Sequence, residues 1–215
     1  MMYKMIIFDL DGTILNTIGD LNEAINYALR NNGLKEISID DTKKYIGNGI
    51  KKLCSLACNG EKEELVYSDF KSYYPNHCLD NTFPYEGILD AINNLKNKYI
   101  LGVLSNKKDE LVKKIIDHFF PNIFDFSYGE RDNIKRKPDC EWMNIILNEY
   151  NLSKSDILYI GDSEVDIEFA KGSGVDFLIC TWGFRKKEEL LHYSGVSLID
   201  SPKHLSYLWE GIKCL

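Results

Sequence analysis

Four short, largely apolar runs, each followed directly by a polar residue, constrain the fold of this 215-residue chain most strongly. The runs are rich in Ile, Leu, Val and Tyr, and they cover residues 5–8, 99–104, 157–161 and 175–180. Runs of this length and composition are typical of strands that are buried on both faces. Between them, apolar residues recur three or four positions apart, as they do in helices. Strands that alternate with helices predict an α/β fold, here a Rossmann-like parallel sheet with helices on both faces.

One long segment interrupts this alternation after the first strand. Residues 18–78 show helical spacing throughout, with candidate helices at 21–31, 40–45, 50–57 and 62–74. The residues that mark the return to the strand–helix pattern are Pro75, Pro84 and Gly87. A chain of this length can bury one full domain and a smaller insertion. The predicted domains are an α/β core of residues 1–15 and 83–215 and an inserted α-helical cap of residues 16–82.

Net charge, cysteine content and the N-terminal segment limit the partners and the cellular compartment that we expect for the protein. Lysine and arginine number 26 against 33 aspartates and glutamates, so the net charge is −7, which argues against nucleic acid as a partner. The four apolar residues before Asp9 are too few for a signal peptide or a membrane span. The six cysteines form no CxxC pair and favour free thiols in a reducing compartment. We expect a cytoplasmic monomer or homodimer with no nucleic-acid or membrane partner.

Two acidic residues, Asp9 and Asp11, come directly after the first predicted strand. Side chains two residues apart in an extended chain lie on the same side, and Gly12 permits a sharp turn just beyond them. Ligands of open α/β sheets bind outside the carboxyl ends of the strands. An ordinary polar turn explains an isolated Asp-Leu-Asp-Gly as well as a ligand-binding site does. The residues at the other predicted strand ends are needed to distinguish the two interpretations.

Polar residues also follow two of the other runs. Ser105 and Asn106 come after the second run, where a hydroxyl, an amide and the start of the next helix suit phosphate oxygens. Asp162, Ser163 and Asp166 come after the run 157–161. Helix capping and a favourable first-turn acid are the alternative explanations for these residues.

Lys137 precedes Pro138 and the predicted helix around Trp142. Proline fits the first turn of a helix and keeps the preceding residue extended. We therefore expect Lys137 near the helix N-cap, directed at the edge of the sheet where the acids stand. Lys135 and Arg136 are the competing cations, and a solvated basic turn is the alternative for both.

Together, these groups predict a hard-cation site beside an anion site. Carboxylate oxygens suit Mg²⁺, with water completing its octahedron. The expected Mg²⁺ ligands are Asp9, Asp11 and Asp162. The expected phosphoryl-binding groups are Ser105, Asn106 and Lys137. Phosphoryl transfer depends on positioning and charge neutralisation more than on elaborate covalent chemistry, which matches this set.

In these motifs the sequence resembles the haloacid dehalogenase superfamily. The matching motifs are DLDGT at 9–13, LSN at 104–106, KP at 137–138 and GDSEVD at 161–166. The helical insert is similar to the helical cap of the first type in that family. The resemblance implies a Mg²⁺-dependent phosphatase that hydrolyses small phosphate monoesters of phosphorylated metabolites.

The resemblance also implies roles for individual residues. Asp9 would be the nucleophile and form an aspartyl-phosphate, while Asp11 would protonate the leaving oxygen and then activate water. Ser105 and Lys137 would bind phosphoryl oxygens. The metal would be held by Asp9, the backbone carbonyl of Asp11 and Asp162. Supporting roles around the metal would fall to Asp166 and Ser163. Substrate contacts would come from Thr13, Asn106, Asn48 and Gly49.

Within the superfamily, the stretches 47–49, 73–87 and 181–185 resemble phosphoglycolate phosphatase-type members. Asn16 and Thr17 stand where many relatives have Asp-Ser at the entrance to the cap. Two other catalytic outcomes stay open, a β-phosphoglucomutase-like phosphosugar mutase and a nucleotidase or pyrophosphatase of the same superfamily. A non-catalytic binding protein is disfavoured, because a decayed enzyme should have lost at least one motif acid or the motif lysine.

Overall fold

A computed structural model describes residues 3–205 of the chain. The chain divides into two compact units, Met1–Leu15 with Pro84–Leu215 and Asn16–Phe83. Phe83, which the sequence analysis assigned to the core, belongs to the second unit. The first unit contains a parallel sheet and the second is helical, apart from short strands at its ends.

The secondary structure alternates strand and helix outside the insert. The strands are β1 (Met5–Phe8), β2 (Leu15–Asn16), β3 (Phe83–Pro84), β4 (Ile100–Lys108), β5 (Phe126–Glu130), β6 (Ile157–Gly161), β7 (Asp176–Cys180) and β8 (Leu198–Ile199). The helices are α1 (Ile18–Asn31), α2 (Ile39–Tyr45), α3 (Ile50–Ala57), α4 (Glu63–His77), α5 (Ile88–Leu95), α6 (Asp109–Phe119), α7 (Glu141–Glu149), α8 (Glu164–Ser173) and α9 (Lys187–Leu190).

Six strands form one parallel sheet in the order β5-β4-β1-β6-β7-β8, which confirms the predicted α/β fold. β2 and β3 form a separate two-stranded sheet. The register pairs Phe8 of β1 with Val103 of β4 and with Ile160 of β6. Phe8, Val103 and Ile160 are therefore level in three neighbouring strands, and the residues that follow them meet at one edge of the sheet.

The apolar runs fold as strands because both faces of the sheet are covered. Every residue of β1 and β6 is buried. Met5 and Ile7 point to one face and pack in a core cluster with residues of α7 and α8, including Trp142 and Phe169. Phe8 points to the opposite face and contacts Phe124 edge to face. Burial on both faces explains why these strands lack the alternation of polar and apolar residues.

Two strands of the sheet, β5 and β8, were not predicted from the sequence. Both lie at sheet edges, β8 has only two residues, and β5 is partly exposed and contains Gly129. The prediction that Pro75 ends the last helix of the insert was also wrong, since α4 continues to His77. Pro75 stands close to the end of α4, where a missing backbone donor disturbs few following residues.

The helical unit ties its two ends together internally. Asp20 of α1 is buried, and its carboxylate accepts hydrogen bonds from Asn81 N and Thr82 Oγ1, both at 2.7 Å. A Cβ on Gly19 would lie 3.0 Å from the Cβ of Asn81, so the two segments approach closely there. The start and the end of the insert are therefore held against each other by one buried carboxylate.

Two findings bear on the expected setting of the protein. Within residues 3–205, no helix is both long and apolar enough to cross a membrane. The five cysteines in that range are free thiols, four of them buried. Cys214 lies outside the described residues.

Candidate active site

The register of β1, β4 and β6 brings three predicted site residues together. Asp9 directly follows β1, and its backbone N donates to Ile160 O of β6 at 2.8 Å. Ser105 lies within β4, and Asp162 directly follows β6. All three are buried, with 8%, 4% and 2% of their surfaces exposed. A buried cluster of polar groups at this edge requires partners, and the surrounding residues supply them.

Lys137 lies at the centre of the cluster and is 3% exposed. Its Nζ is 2.8 Å from Asp9 Oδ1 and 2.9 Å from Asp166 Oδ1. The same nitrogen lies 3.0 Å from Leu104 O and 2.8 Å from Tyr159 Oη. Tyr159 in turn donates to Asp166 Oδ1 at 2.7 Å. The ammonium group is therefore held rigidly against Asp9 by a second carboxylate behind it.

The location of Lys137 corrects one expectation. α7 begins at Glu141, so Pro138 is not in the first turn of the helix and Lys137 is not close to its N-cap. Lys137 and Pro138 lie in a turn, joined by a cis peptide bond. Asn106 Nδ2 donates to Lys137 O at 2.8 Å and holds this turn against the end of β4. The expected contact of Asn106 with substrate stays a prediction.

Asp166 supports the cluster from the first turn of α8. Its Oδ2 accepts hydrogen bonds from Asp162 N at 3.2 Å and from Ser163 N and Oγ at 3.1 and 2.6 Å. Its Oδ1 faces Lys137 and Tyr159, so both oxygens are engaged. The contacts through which Asp166 caps the start of α8 therefore also fix its carboxylate beside Lys137.

Asp162 is fixed by groups from two other loops. Its Oδ2 accepts from Phe184 N at 2.8 Å, and its Oδ1 lies 3.5 Å from Thr13 Oγ1. Thr13 is fully buried, and this contact with Asp162 places it beside the acidic cluster. Gly12 has φ of +88°, and a Cβ there would lie 2.2 Å from Asp162 Oδ2. A Cβ on Gly183 would lie 2.4 Å from the Cβ of Asp162, so both positions require glycine.

The end of β7 and the segment that follows it pack against the loop after β1, which carries Asp11. Trp182 Nε1 donates to Thr13 O at 3.0 Å, and Cys180 Sγ lies 3.7 Å from Gly12 O. Arg185 forms a two-pronged ion pair with Glu164 of α8, at 2.6 and 2.8 Å. This segment therefore holds the loops that carry Asp9 and Asp162, a role that sequence reasoning did not assign to it.

The acidic cluster contains three carboxyl groups around one ammonium group. Oxygens of Asp9, Asp162 and Asp166 lie within 4.8 Å of one another, and all three residues are buried. Burial raises the pKa of Asp9 to about 7 against the lowering effect of Lys137. Burial and the neighbouring acids raise the pKa of Asp162 well above its usual range. Burial also disfavours the charged form of Asp166, yet Lys137 and hydrogen bonds keep its pKa below the ordinary value.

This donor set fits a hard divalent cation. Carboxylate oxygens are the ligands that Mg²⁺ prefers, and a cation would stabilise the ionised forms that burial disfavours. Both oxygens of Asp166 make contacts of 2.6–2.9 Å with the chain, whereas the contact of Asp162 Oδ1 with Thr13 Oγ1 is 3.5 Å, so Asp9 and Asp162 are the better placed of the three to bind a metal. The expected contribution of the Asp11 carbonyl stays a prediction.

Asp11 has a partner that the sequence analysis missed. Lys107 Nζ lies 3.1 Å from Asp11 Oδ1, and the side chain of Lys107 is only 2% exposed against 15% for Asp11. The prediction ended the strand at residue 104, whereas β4 continues to Lys108 with an irregular register after Leu104. Had the predicted strand been extended through residue 107, the alternation of side chains in a strand would have placed Lys107 on the same side as Ser105.

Two predicted substrate contacts belong to the other unit. Asn48 and Gly49 precede α3 in the helical unit, and Gly49 takes the N-cap position with φ of +81°. Their role in substrate binding stays a prediction.

Comparisons with known proteins agree with this geometry. The sequence model of the haloacid dehalogenase-like hydrolase family matches residues 6–180. The phosphoglycolate phosphatase of Aquifex aeolicus is 31% identical over 185 residues, which cover 85% of this chain and 87% of that protein. The phosphoglycolate phosphatase of Rhodobacter capsulatus is 30% identical over 194 residues, which cover 86% and 87%.

A solved structure shows the same architecture. A protein from Lactobacillus delbrueckii subsp. bulgaricus, provisionally named a phosphoglycolate phosphatase, superposes with a TM-score of 0.89 at 34% identity. The match covers 96% of this chain and 98% of that one. By its sequence, its fold and the side chains gathered at the strand ends, the chain belongs to the haloacid dehalogenase-like hydrolase family and is one of its phosphatases.

Proposed function

We propose that this phosphatase hydrolyses small phosphate monoesters through an aspartyl-phosphate formed on Asp9, with Mg²⁺ as its cofactor. The observation that carries the proposal is the position of Asp9. Its carboxylate stands at the carboxyl end of β1, 2.8 Å from the buried ammonium of Lys137 and within the cluster that contains Asp162. The proposed nucleophile, a fixed positive charge and the proposed cation ligands therefore lie at one edge of the sheet, an arrangement that suits phosphoryl transfer.

The first half-reaction transfers the phosphoryl group to the enzyme. An Asp9 carboxylate oxygen attacks phosphorus, and the bond between phosphorus and the leaving oxygen breaks. Asp11 donates a proton to that oxygen, so the leaving group departs as a neutral hydroxyl. Lys137 and Ser105 hold the phosphoryl oxygens. Ser105 Oγ accepts from Lys107 N at 3.2 Å, and its own hydroxyl proton would be donated to a phosphoryl oxygen.

The second half-reaction returns Asp9 to its starting state. Asp11, now a carboxylate, takes a proton from water, and the water oxygen attacks phosphorus. The bond between phosphorus and Asp9 breaks, and inorganic phosphate leaves. Mg²⁺ bound by Asp9, Asp162 and the Asp11 carbonyl would neutralise the negative charge that the phosphoryl group brings to these carboxylates.

The substrate class follows from the relatives. Several similar proteins carry the name phosphoglycolate phosphatase, so 2-phosphoglycolate is the first ester to test. Asn48 and Gly49 of the helical unit are the proposed contacts with the leaving group. The cytoplasm is the proposed location, because free thiols persist in a reducing compartment.

Phosphate release from a panel of esters tests this function. The panel contains 2-phosphoglycolate, sugar phosphates, nucleotides and pyrophosphate, each with Mg²⁺ or EDTA, for the wild type and Asp9→Asn. We expect Mg²⁺-dependent release that Asp9→Asn abolishes, with 2-phosphoglycolate among the best substrates. Release that appears only with a sugar bisphosphate present would indicate a mutase instead. No release by the folded, Mg²⁺-loaded protein would overturn the proposal.

A further inference from the structure

The proposed chemistry uses Lys137 but assigns nothing to Lys107, although the two lysines are almost equally buried, at 3% and 4% exposure. Removing an ammonium group from water is costly, and replacing a buried ion pair by apolar side chains is often neutral or stabilising. Packing alone therefore gives a weak reason for a charged residue at position 107. The contact that Lys107 makes with Asp11 offers a stronger one.

The backbone of Lys107 is fixed on both sides. Its N donates to Ser105 Oγ, which belongs to the phosphoryl-binding group. On the neighbouring strand β5, a Cβ on Gly129 would lie 2.5 Å from Lys107 O, so the two backbones are in close contact there. The ammonium group therefore starts from a rigid strand and reaches Asp11 Oδ1 at 3.1 Å.

Asp11, in contrast, stands in the loop that follows β1 and retains 15% exposure of its side chain. An aspartate in a loop samples several rotamers unless a contact selects one. A misplacement of about 1 Å at a reacting group can cost on the order of 100-fold in rate. An ion pair with a rigidly mounted lysine favours the rotamer in which Asp11 Oδ1 lies 3.1 Å from Lys107 Nζ.

We propose that Lys107 is a positioning residue for proton transfer, which holds the Asp11 carboxyl group in place through Oδ1. This inference rests on the proposed function, in which Asp11 gives a proton to the leaving oxygen. Lys107 acts through Asp11 and does not itself exchange a proton. Its importance depends on how strongly the leaving group needs that proton. An alkoxide leaving group needs it, whereas p-nitrophenolate leaves readily without it.

The experiment compares Lys107→Met, Asp11→Asn and the double variant under single-turnover conditions. Release of the leaving group is measured for 2-phosphoglycolate, or the best alkyl ester of the panel, and for p-nitrophenyl phosphate. We expect Asp11→Asn to slow the alkyl ester by about 10²–10⁴-fold, the usual worth of a general acid. Lys107→Met should slow it by about 10–100-fold, and the aryl ester by less than about 3-fold.

The double variant separates positioning from a structural role. If Lys107 acts only through Asp11, adding Lys107→Met to Asp11→Asn causes no further loss on the alkyl ester. The inference would be overturned if the rate loss of the double variant were the product of the two single losses, or if Lys107→Met slowed the alkyl and the aryl ester equally. Lys107→Arg keeps the charge with a different reach, and should recover at least about 5-fold of the rate lost in Lys107→Met.

Two controls keep the outcomes distinct. Lys113→Met removes a positive charge from an ion pair with Asp109 on α6 and should leave both rates unchanged. If Lys107→Met does not fold, Lys107→Gln and Lys107→Arg undergo the same comparison, and an equal loss on both esters would again contradict the inference. A wild type that releases no phosphate from any ester would overturn the proposed function itself, and the positioning role with it.

Discussion

Two lysine–aspartate pairs, Lys137 with Asp9 and Lys107 with Asp11, lie at the same edge of the sheet, and they differ in the contacts that surround each lysine. Lys137 Nζ contacts Asp9 and also Asp166, Tyr159 and the Leu104 carbonyl, all within 3.0 Å. Lys107 Nζ lies 3.1 Å from Asp11, whose side chain is 15% exposed. The first pair is part of the charge balance of a buried acidic cluster, while the second holds one carboxylate beside it. Loss of the first should therefore disturb stability and chemistry together, and loss of the second mainly chemistry.

The largest effect is expected for Lys137→Met. This change leaves Asp9 and Asp166 without their shared ammonium, so we expect a loss of about 3–5 kcal/mol in unfolding free energy, typical of a broken buried ion pair. Phosphate release should fall by at least about 10³-fold. Urea unfolding and steady-state assays measure the two effects. A smaller stability loss than that of Lys107→Met would contradict the contrast between the pairs.

Gly12→Ala tests the acidic side of the cluster. The added methyl group would lie 2.2 Å from Asp162 Oδ2, at a φ of +88°. We expect a destabilisation of about 2–4 kcal/mol from strain and overpacking, together with weaker Mg²⁺ binding measured by calorimetry. Gly60→Ala is the matched control, since its φ is +78° and nothing lies within 4 Å of the added atom. Equal effects of the two changes would show that Asp162 tolerates displacement.

Mg²⁺ should stabilise the protein more at pH 8 than at pH 5.5. The pKa of Asp9 is about 7 in the folded chain against an ordinary value of 3.8. A raised carboxyl pKa means that the metal-free fold loses stability as the pH rises from about 4 to 7, whereas Mg²⁺ binds the ionised form. Thermal unfolding with and without Mg²⁺ measures the difference, expected to be about 2 kcal/mol. Equal stabilisation at both pH values would argue against Asp9 as a ligand.

The smallest effect is expected for Tyr159→Phe. The hydroxyl group lies 2.8 Å from Lys137 Nζ and 2.7 Å from Asp166 Oδ1, so its loss removes contacts behind the first pair only. We expect a destabilisation of about 1–2 kcal/mol and a loss of a few-fold in the rate. Unfolding and phosphate assays on this variant check both values, with Tyr193→Phe as a control at a partly buried tyrosine that packs against the cluster containing Ile167 and Leu190. A loss as large as that of Lys137→Met would mean that Tyr159 takes part in the chemistry directly.

The central strands could be predicted accurately because burial on both faces leaves an unmistakable signal. β1 and β6 have the bounds that the apolar runs predicted. The edge strands β5 and β8 lack that signal, since each has only one neighbour in the sheet. Lys107 was missed for a different reason: the apolar run ends at Leu104, whereas β4 continues through polar residues to Lys108.

The amino-acid sequence alone determined which polar residues follow the buried apolar runs, including Asp9, Asp11, Ser105 and Asp162. Local pattern is sufficient for this, since a run of apolar residues and the polar residue after it are neighbours in the chain. Only the tertiary structure decided the partners, Lys137 with Asp9 and Lys107 with Asp11. These pairs depend on the order β5-β4-β1-β6 and on its register, which arise from packing between distant segments.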